Sequence, residues 1–286
     1  MASHLTEKES NSAVDQKRFT FVELMMIWEG RVNASHISDQ FELGKKLAAL
    51  VIQKYKELYP ENIGYEASTE SYVPTDNMVA QFTSGSLQEY VSLIAAGESV
   101  TQLAMPTRNV NPDVVRPILQ AIREQKRLSI AYASVTHPEF ATRVIQPHNI
   151  VFDGLRWHVR AYCENNQGYR DFVLSRFDAN TTGEILDAAD HFDLQDELWQ
   201  TMLDVEIMPD PRLDENRTRI IALDYDMQLI PEAEPASYVK TMQVRAALLM
   251  YLINRLGLDQ YHNKPEAQQI ILTPDCQQTL KPYLPN

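Results

Sequence analysis

The chain has 286 residues, of which 44% are hydrophobic and 23% charged, a composition that fits two or three folded domains and excludes global disorder. Lys and Arg number 26 against 39 Asp and Glu, a net charge of −13, which argues against a protein built only to coat nucleic acid non-specifically. Two cysteines, Cys163 and Cys276, make no disulfide framework and fit no metal-ligand spacing, so two reduced thiols and no metal are expected.

Residues 1–15 are polar and predict a disordered tail without the apolar run of a secretion signal. The longest apolar stretch, Ala246 to Ile253, is far below the roughly 20 residues of a membrane span. A cytoplasmic protein with no membrane partner is expected.

Phe21, Leu24, Met25, Ile27 and Trp28 recur at helical spacing and end at Gly30. A short second helix follows, opened by Asn33 or Ser35 as N-cap, with Ile37 and Phe41 inward. A third runs from about Gly44 to Tyr59, with Leu47, Leu50, Val51, Tyr55 and Leu58 on its inner face, and stops at Pro60. Residues 63–67 and 71–73 then read as a hairpin around Ser68, Thr69 and Glu70. Three helices and a small hairpin are the order of a winged helix-turn-helix, assigned to residues 16–76.

Residues 77–125 read as an interrupted helical linker and dimerisation region, with helices at Leu87–Ala95 and Pro112–Gln125. From residue 126 to 188 the period changes to strands at 128–132, 142–145, 149–152, 156–162 and 170–174, with Asp153-Gly154 as a hairpin signal. Five short antiparallel strands predict a small barrel. Residues 189–286 mix predicted helices at 194–203 and 241–256 with extended segments at 205–208 and 269–273. The fold class is α+β multidomain: an N-terminal winged helix-turn-helix, a central small Sm/SH3-like β-barrel and a C-terminal α/β extension. Charge follows this division, since residues 183–286 carry 8 basic and 18 acidic side chains, while residues 126–178 carry 7 and 5.

The third helix carries Lys45, Lys46, Lys54 and Lys56 with Gln53, and no acid from Gly44 to Lys56. Lysines neutralise phosphates and glutamine can pair with adenine, so the helix suits a major groove, although a solvated helix face has the same composition. Ser35 and His36 on the preceding helix, and Ser68 and Thr69 at the hairpin tip, complete the candidate DNA contacts. In the barrel, alternation places Tyr132 and Ser134 on one face. Arginines among Tyr, His and Ser side chains in this segment suit an anion, giving charge-assisted bonds, and Arg170 and Arg176 share a face only if their strand continues without a bulge. The plain alternative is that the arginines pair with carboxylates; Ile145, Trp157 and Phe172 are read as core.

The run Tyr132-x-Ser134, Arg143…Pro147, Arg156-Trp157-His158-Val159 and Arg170-x-Phe172-x-Leu174-x-Arg176 resembles a WYL domain, with Trp-His-Val in place of the Trp-Tyr-Leu triplet. Ile27-Trp28-Glu29-Gly30-Arg31-Val32-Asn33, Tyr55 to Pro60, and Arg245-Ala-Ala-Leu248…Tyr251…Arg255 extend the resemblance to BrxR/CapW-type repressors of phage-defence loci, over residues 16–275. That resemblance implies a homodimer on inverted-repeat operator DNA. It also implies an anionic nucleotide or nucleic-acid effector sensed at Tyr132, Ser134, His148, Arg156, Arg170 and Arg176. A WYL-type accessory protein that binds a protein or nucleic-acid partner without reading an operator is the alternative. Catalysis is not expected: His137, His148 and His158 match no ligand motif, and neither a Gly-rich phosphate loop nor a nucleophile elbow is present. No cofactor is expected.

Overall fold

The computed structural model describes residues 13–93, 103, 106, 108–188, 190–191, 193–231 and 237–284. The chain divides into two compact units, Met1–Met105 and Pro106–Asn286.

In the first unit, α1 (Ala13–Glu29) buries Phe19, Phe21, Val22, Leu24, Met25 and Met26. It begins inside the expected tail, because Asp15 anchors the first turn through Lys54; residues 1–12 lie outside the described residues. Ile27 and Trp28, at the end of the apolar run, are exposed, and the Trp28 ring lies 5.9 Å from that of Tyr90. Asn33 caps α2 (Ala34–Phe41), its side chain accepting from the backbone N–H groups of Ser35 and His36. α3 (Lys45–Leu58) buries Ala48, Val51, Ile52 and Tyr55.

The inner face of α3 is therefore rotated from the expected one: Leu47 and Leu50 point outward, with 56% and 55% exposure. Both sets of residues recur at three- and four-residue steps. The set that wins carries Ala48, small and fully buried in the three-helix core, beside Ile52 and Tyr55.

β1 (Ile63–Glu66) and β2 (Ser71–Pro74) form the hairpin, with Ile63 opposite Pro74, and Val32 adds a bridge to Tyr72. Glu23, fully buried, holds the chain that follows. Its carboxylate accepts from Tyr55 Oη at 2.9 Å, from Gln81 N at 2.9 Å and from Phe82 N at 2.8 Å. Asn62 adds bonds to Tyr55 Oη and to both backbone groups of Val79. α4 (Leu87–Leu93) follows; Ala95, expected to end it, lies outside the described residues.

The second unit opens with α5 (Pro112–Glu124), capped by Asn111. β3 (Lys126–Tyr132), β4 (Ala141–Phe152), β5 (Trp157–Cys163), β6 (Gly168–Val173) and β7 (Glu184–Ala188) form an antiparallel sheet in the order β6-β5-β4-β3-β7. The two expected strands at 142–145 and 149–152 are one, irregular between Pro147 and Asn149. A bulge tolerates a residue without an N–H, so Pro147 bends the strand without ending it. A short 3-10 turn at Leu174–Arg176 returns the chain so that Phe177 bridges Tyr132. The sheet thus curls around Leu128, Ile130, Ile145, Val159 and Phe172, with Val114 and Ile118 of α5 in the same core, whereas Trp157, expected in the core, is exposed at the start of β5 with its ring against Phe152.

α6 (Glu197–Gln200) leads into β8 (Met202–Pro209), followed by α7 (Glu215–Asp224), β9 (Gln228–Ile230), β10 (Ser237–Arg245) and α8 (Leu249–Arg255). α9 (Pro265–Gln268), β11 (Ile270–Leu272) and α10 (Pro274–Leu280) complete the chain. The antiparallel sheet order is β11-β8-β10-β9. The helices expected at 194–203 and 241–256 are cut short because Met202 and residues 241–245 are strand. Residues 202–207 alternate outward and inward, and Thr241 pairs with Glu206. Among the described residues, no helix is long and apolar enough to cross a membrane.

Candidate nucleic-acid interface and sensing surface

The outward pole of α3 follows from its buried stripe. With Ala48, Val51, Ile52 and Tyr55 inside, the 3.6-residue period turns Lys46, Leu50, Gln53 and Glu57 to solvent, with Lys45 and Leu47 beside them. Lys45 and Lys46 are exposed at the first turn. Gln53 Nε2 donates to Glu57 Oε1 at 2.9 Å, which fixes the plane of the amide. Lys54 turns to the flank, its Nζ 2.9 Å from Asp15 Oδ2, and Lys56 Nζ sits 5.7 Å from the Tyr72 ring centre.

The other candidate DNA contacts are more dispersed. Ser35 is exposed on α2, and His36 is half-buried. Burial, and then the charge of Arg31, hold the His36 imidazole below its ordinary pKa, so it is neutral at pH 7. At the hairpin tip Ser68 is exposed and Thr69 Oγ1 donates to Glu66 Oε2 at 2.7 Å. Glu66 and Glu70 make this tip acidic, and residues 13–93 together carry seven basic and eleven acidic side chains. Cationic charge for a polyanion is thus concentrated at the start of α3.

Among the described residues, the six candidate sensing residues make no hydrogen bond or ion pair with one another. Tyr132 is core: its ring packs edge-on against Phe172 and Phe177, and its hydroxyl accepts from Val173 N at 3.2 Å. Ser134 closes the turn after β3, accepting from His137 N at 3.0 Å. Arg176 lies next to this turn, its carbonyl accepting from Ala133 N. Arg170 is exposed on β6, opposite Ala161. Neither Arg170 nor Arg176 has a carboxylate partner among the described residues. Arg156 sits in the β4–β5 turn, its Nε 3.5 Å from Asp153 Oδ2. His148 is buried, with Nε2 3.2 Å from Asp196 Oδ2 and Nδ1 2.9 Å from Asn149 Oδ1. Carboxylates stand beside two of the six, Asp153 at Arg156 and Asp196 at His148, and they come from a turn and a segment that strand alternation does not place.

Asp196 belongs to a buried polar junction that joins the curled sheet to the C-terminal elements. Arg160 on β5 is 5% exposed and Asp196 1%. Arg160 Nε and Nη2 donate to the two Asp196 oxygens at 2.7 and 3.1 Å, and Nη1 donates to Asp171 Oδ1 at 3.3 Å. Tyr251 of α8 donates to Asp171 Oδ2 at 3.0 Å, and its ring lies 4.9 Å from that of His158, whose Nε2 is 2.7 Å from Asp153 Oδ2. Burial opposes ionisation of Asp196, but the Arg160 bonds and charge outweigh it and hold the carboxyl below its usual range. Burial likewise opposes Asp153, and the His158 bond with the N–H groups of Arg156 and Leu155 pulls it down to about 2. His158, Arg160 and Tyr162 alternate on one face in the sequence, a signal that could have marked this surface as buried against a partner element.

Known proteins share this layout. The BrxR transcriptional regulator winged helix-turn-helix domain matches residues 15–96, the WYL domain residues 113–181, and the BrxR transcriptional regulator C-terminal dimerization domain residues 202–280. A DNA-binding transcriptional repressor CapW of Pseudomonas aeruginosa is 31% identical over 275 residues, 90% of this chain and 88% of its own. One from Escherichia coli is 30% identical over the same shares, and one from Stenotrophomonas maltophilia is 27% identical over 85% and 83%. With a winged helix, a WYL domain and the BrxR C-terminal domain in that order, this chain belongs to the BrxR/CapW family of WYL-domain transcriptional regulators.

Proposed function

We propose that this protein is a transcriptional repressor that binds inverted-repeat operator DNA as a homodimer through α3. The observation that carries this reading is the pairing of an outward lysine and glutamine face on α3 with family membership among CapW repressors. A single α3 spans one half-site, and two-fold pairing doubles the length read. The BrxR C-terminal dimerization model over residues 202–280 supports assembly through the last third. The finer reading adds a phage-defence locus as the setting, which the family resemblance implies, and an anionic nucleotide or nucleic-acid effector held by Arg170 and Arg176.

The direct test is Lys45→Ala with Lys46→Ala, titrated with operator duplex at several salt concentrations. Each phosphate that the variant no longer neutralises lowers the log–log salt slope by about 0.9. Tight binding should vanish while the fold and the dimer persist, and an unchanged affinity and slope would remove α3 as the reader.

A further inference from the structure

Leu47 and Leu50 are the feature of α3 that phosphate binding leaves unused. A single exposed leucine needs no explanation. These two are three residues apart and each more than half exposed, Leu50 on the pole that carries Lys46 and Gln53 and Leu47 on its flank. Their side chains stabilise nothing in the three-helix core, which Ala48, Val51, Ile52 and Tyr55 fill. The surrounding charge selects the occupant. Lys46 lies on this pole and Lys45 on its other flank, with no acid between Gly44 and Lys56, so the same face of a second copy would be repelled, whereas a polyanion is attracted.

In a major groove, the one apolar group that a base presents is the 5-methyl of thymine. Phosphate contacts position a protein on the duplex, and contacts to base edges are what specify the site. Resting on the operator reading above, we propose that Leu47 and Leu50 recognise thymine methyl groups, making the half-site beneath α3 rich in A·T pairs. Gln53 supplies the complementary adenine contact. Its amide already gives one hydrogen to Glu57, which leaves the second amide hydrogen for adenine N7 and the carbonyl oxygen for the adenine N6 amino group. Glu57, the one acid on this pole, is thereby engaged in orienting the reader.

The experiment uses full-length protein and the tightest-binding duplex that it selects from a random-sequence pool. Each thymine is then replaced by uracil, which deletes the methyl and keeps the base pair. Wild type should bind the uracil duplex about fourfold more weakly for each methyl that a leucine covers, and equally well at other positions. Leu47→Ala and Leu50→Ala, both at exposed sites that leave the core untouched, should each abolish the discrimination at one position of the half-site. Equal binding of thymine and uracil duplexes by wild type at every position overturns the proposal, as does discrimination that survives both substitutions. Leucine variants that change the oligomeric state but not DNA selectivity overturn it too, and assign the pair to a protein contact. Failure to enrich any duplex is a different result, which removes the operator reading itself.

Discussion

Arg160 is the side chain with the most at stake in the second unit, since a guanidinium that is 5% exposed answers two carboxylates, one of them 1% exposed. Removing one member of such a group leaves a buried charge uncompensated, at a cost of about 3–5 kcal/mol. Arg160→Ala should therefore lower the chemical-denaturation midpoint of the second unit sharply, whereas Arg170→Ala, at an exposed position, should leave it nearly unchanged. Equal effects would mean that the junction carries little stability. The same carboxylates set the acid limit. Asp153 and Asp196 have folded-state pKa values below their unfolded ones, so their contribution is fully present above about pH 4 and is lost as pH falls through the folded values. For Asp153 that window runs from about pH 4 to about pH 2. A denaturation series across this range should show stability falling with pH, and a flat profile would count against the pairing.

α3 shows how an element can be legible in its ends and not in its rotation. Pro60 stops it and Gly44 opens it, and the observed helix, Lys45–Leu58, lies within the expected span. Its inner face was ambiguous, because leucines at 47, 50 and 58 compete with Ala48 and Ile52 for the same period, and only packing against α1 and α2 decides. A pair of substitutions checks the outcome: Ile52→Ala should cost about 2–5 kcal/mol of stability, as large-to-small changes in a core do. Leu50→Ala should stay within about 0.5 kcal/mol, as at a surface position. A reversed order would restore the leucine face. Elsewhere the period-2 runs that make up the curled sheet were readable because they are bounded by Asp153-Gly154 and Gly168. β7 and β9 were not, being short strands whose extension depends on their neighbours β3 and β10. The arginines of the sensing surface were visible as residues, but their partners were not. Asp196 sits 36 positions from Arg160, and no local pattern links the two.

At the scale of the whole molecule, the proposed effector would change DNA affinity only by binding the DNA-competent and incompetent forms with different affinity. Arg170 and Arg176 are cations without carboxylate partners among the described residues, and an anion would relieve their unpaired charge. The effector-bound form is expected to be the weaker DNA binder. Arg170→Ala and Arg176→Ala should then bind operator nearly as well as wild type in a mobility-shift titration, yet no longer respond to added short oligonucleotides or nucleoside phosphates. Loss of DNA binding without any added anion would make these arginines structural. The Glu23 cluster bears on how the chain can be divided. Gln81 and Phe82 supply backbone donors to a carboxylate that has no access to water. A fragment ending just after the hairpin, at residue 76, would strand that carboxylate with Tyr55 alone, whereas one ending at residue 93 would retain the whole cluster. The donors that hold Glu23 thus lie beyond the wing, and cutting at the apparent end of the motif should lower the stability of what it was meant to isolate.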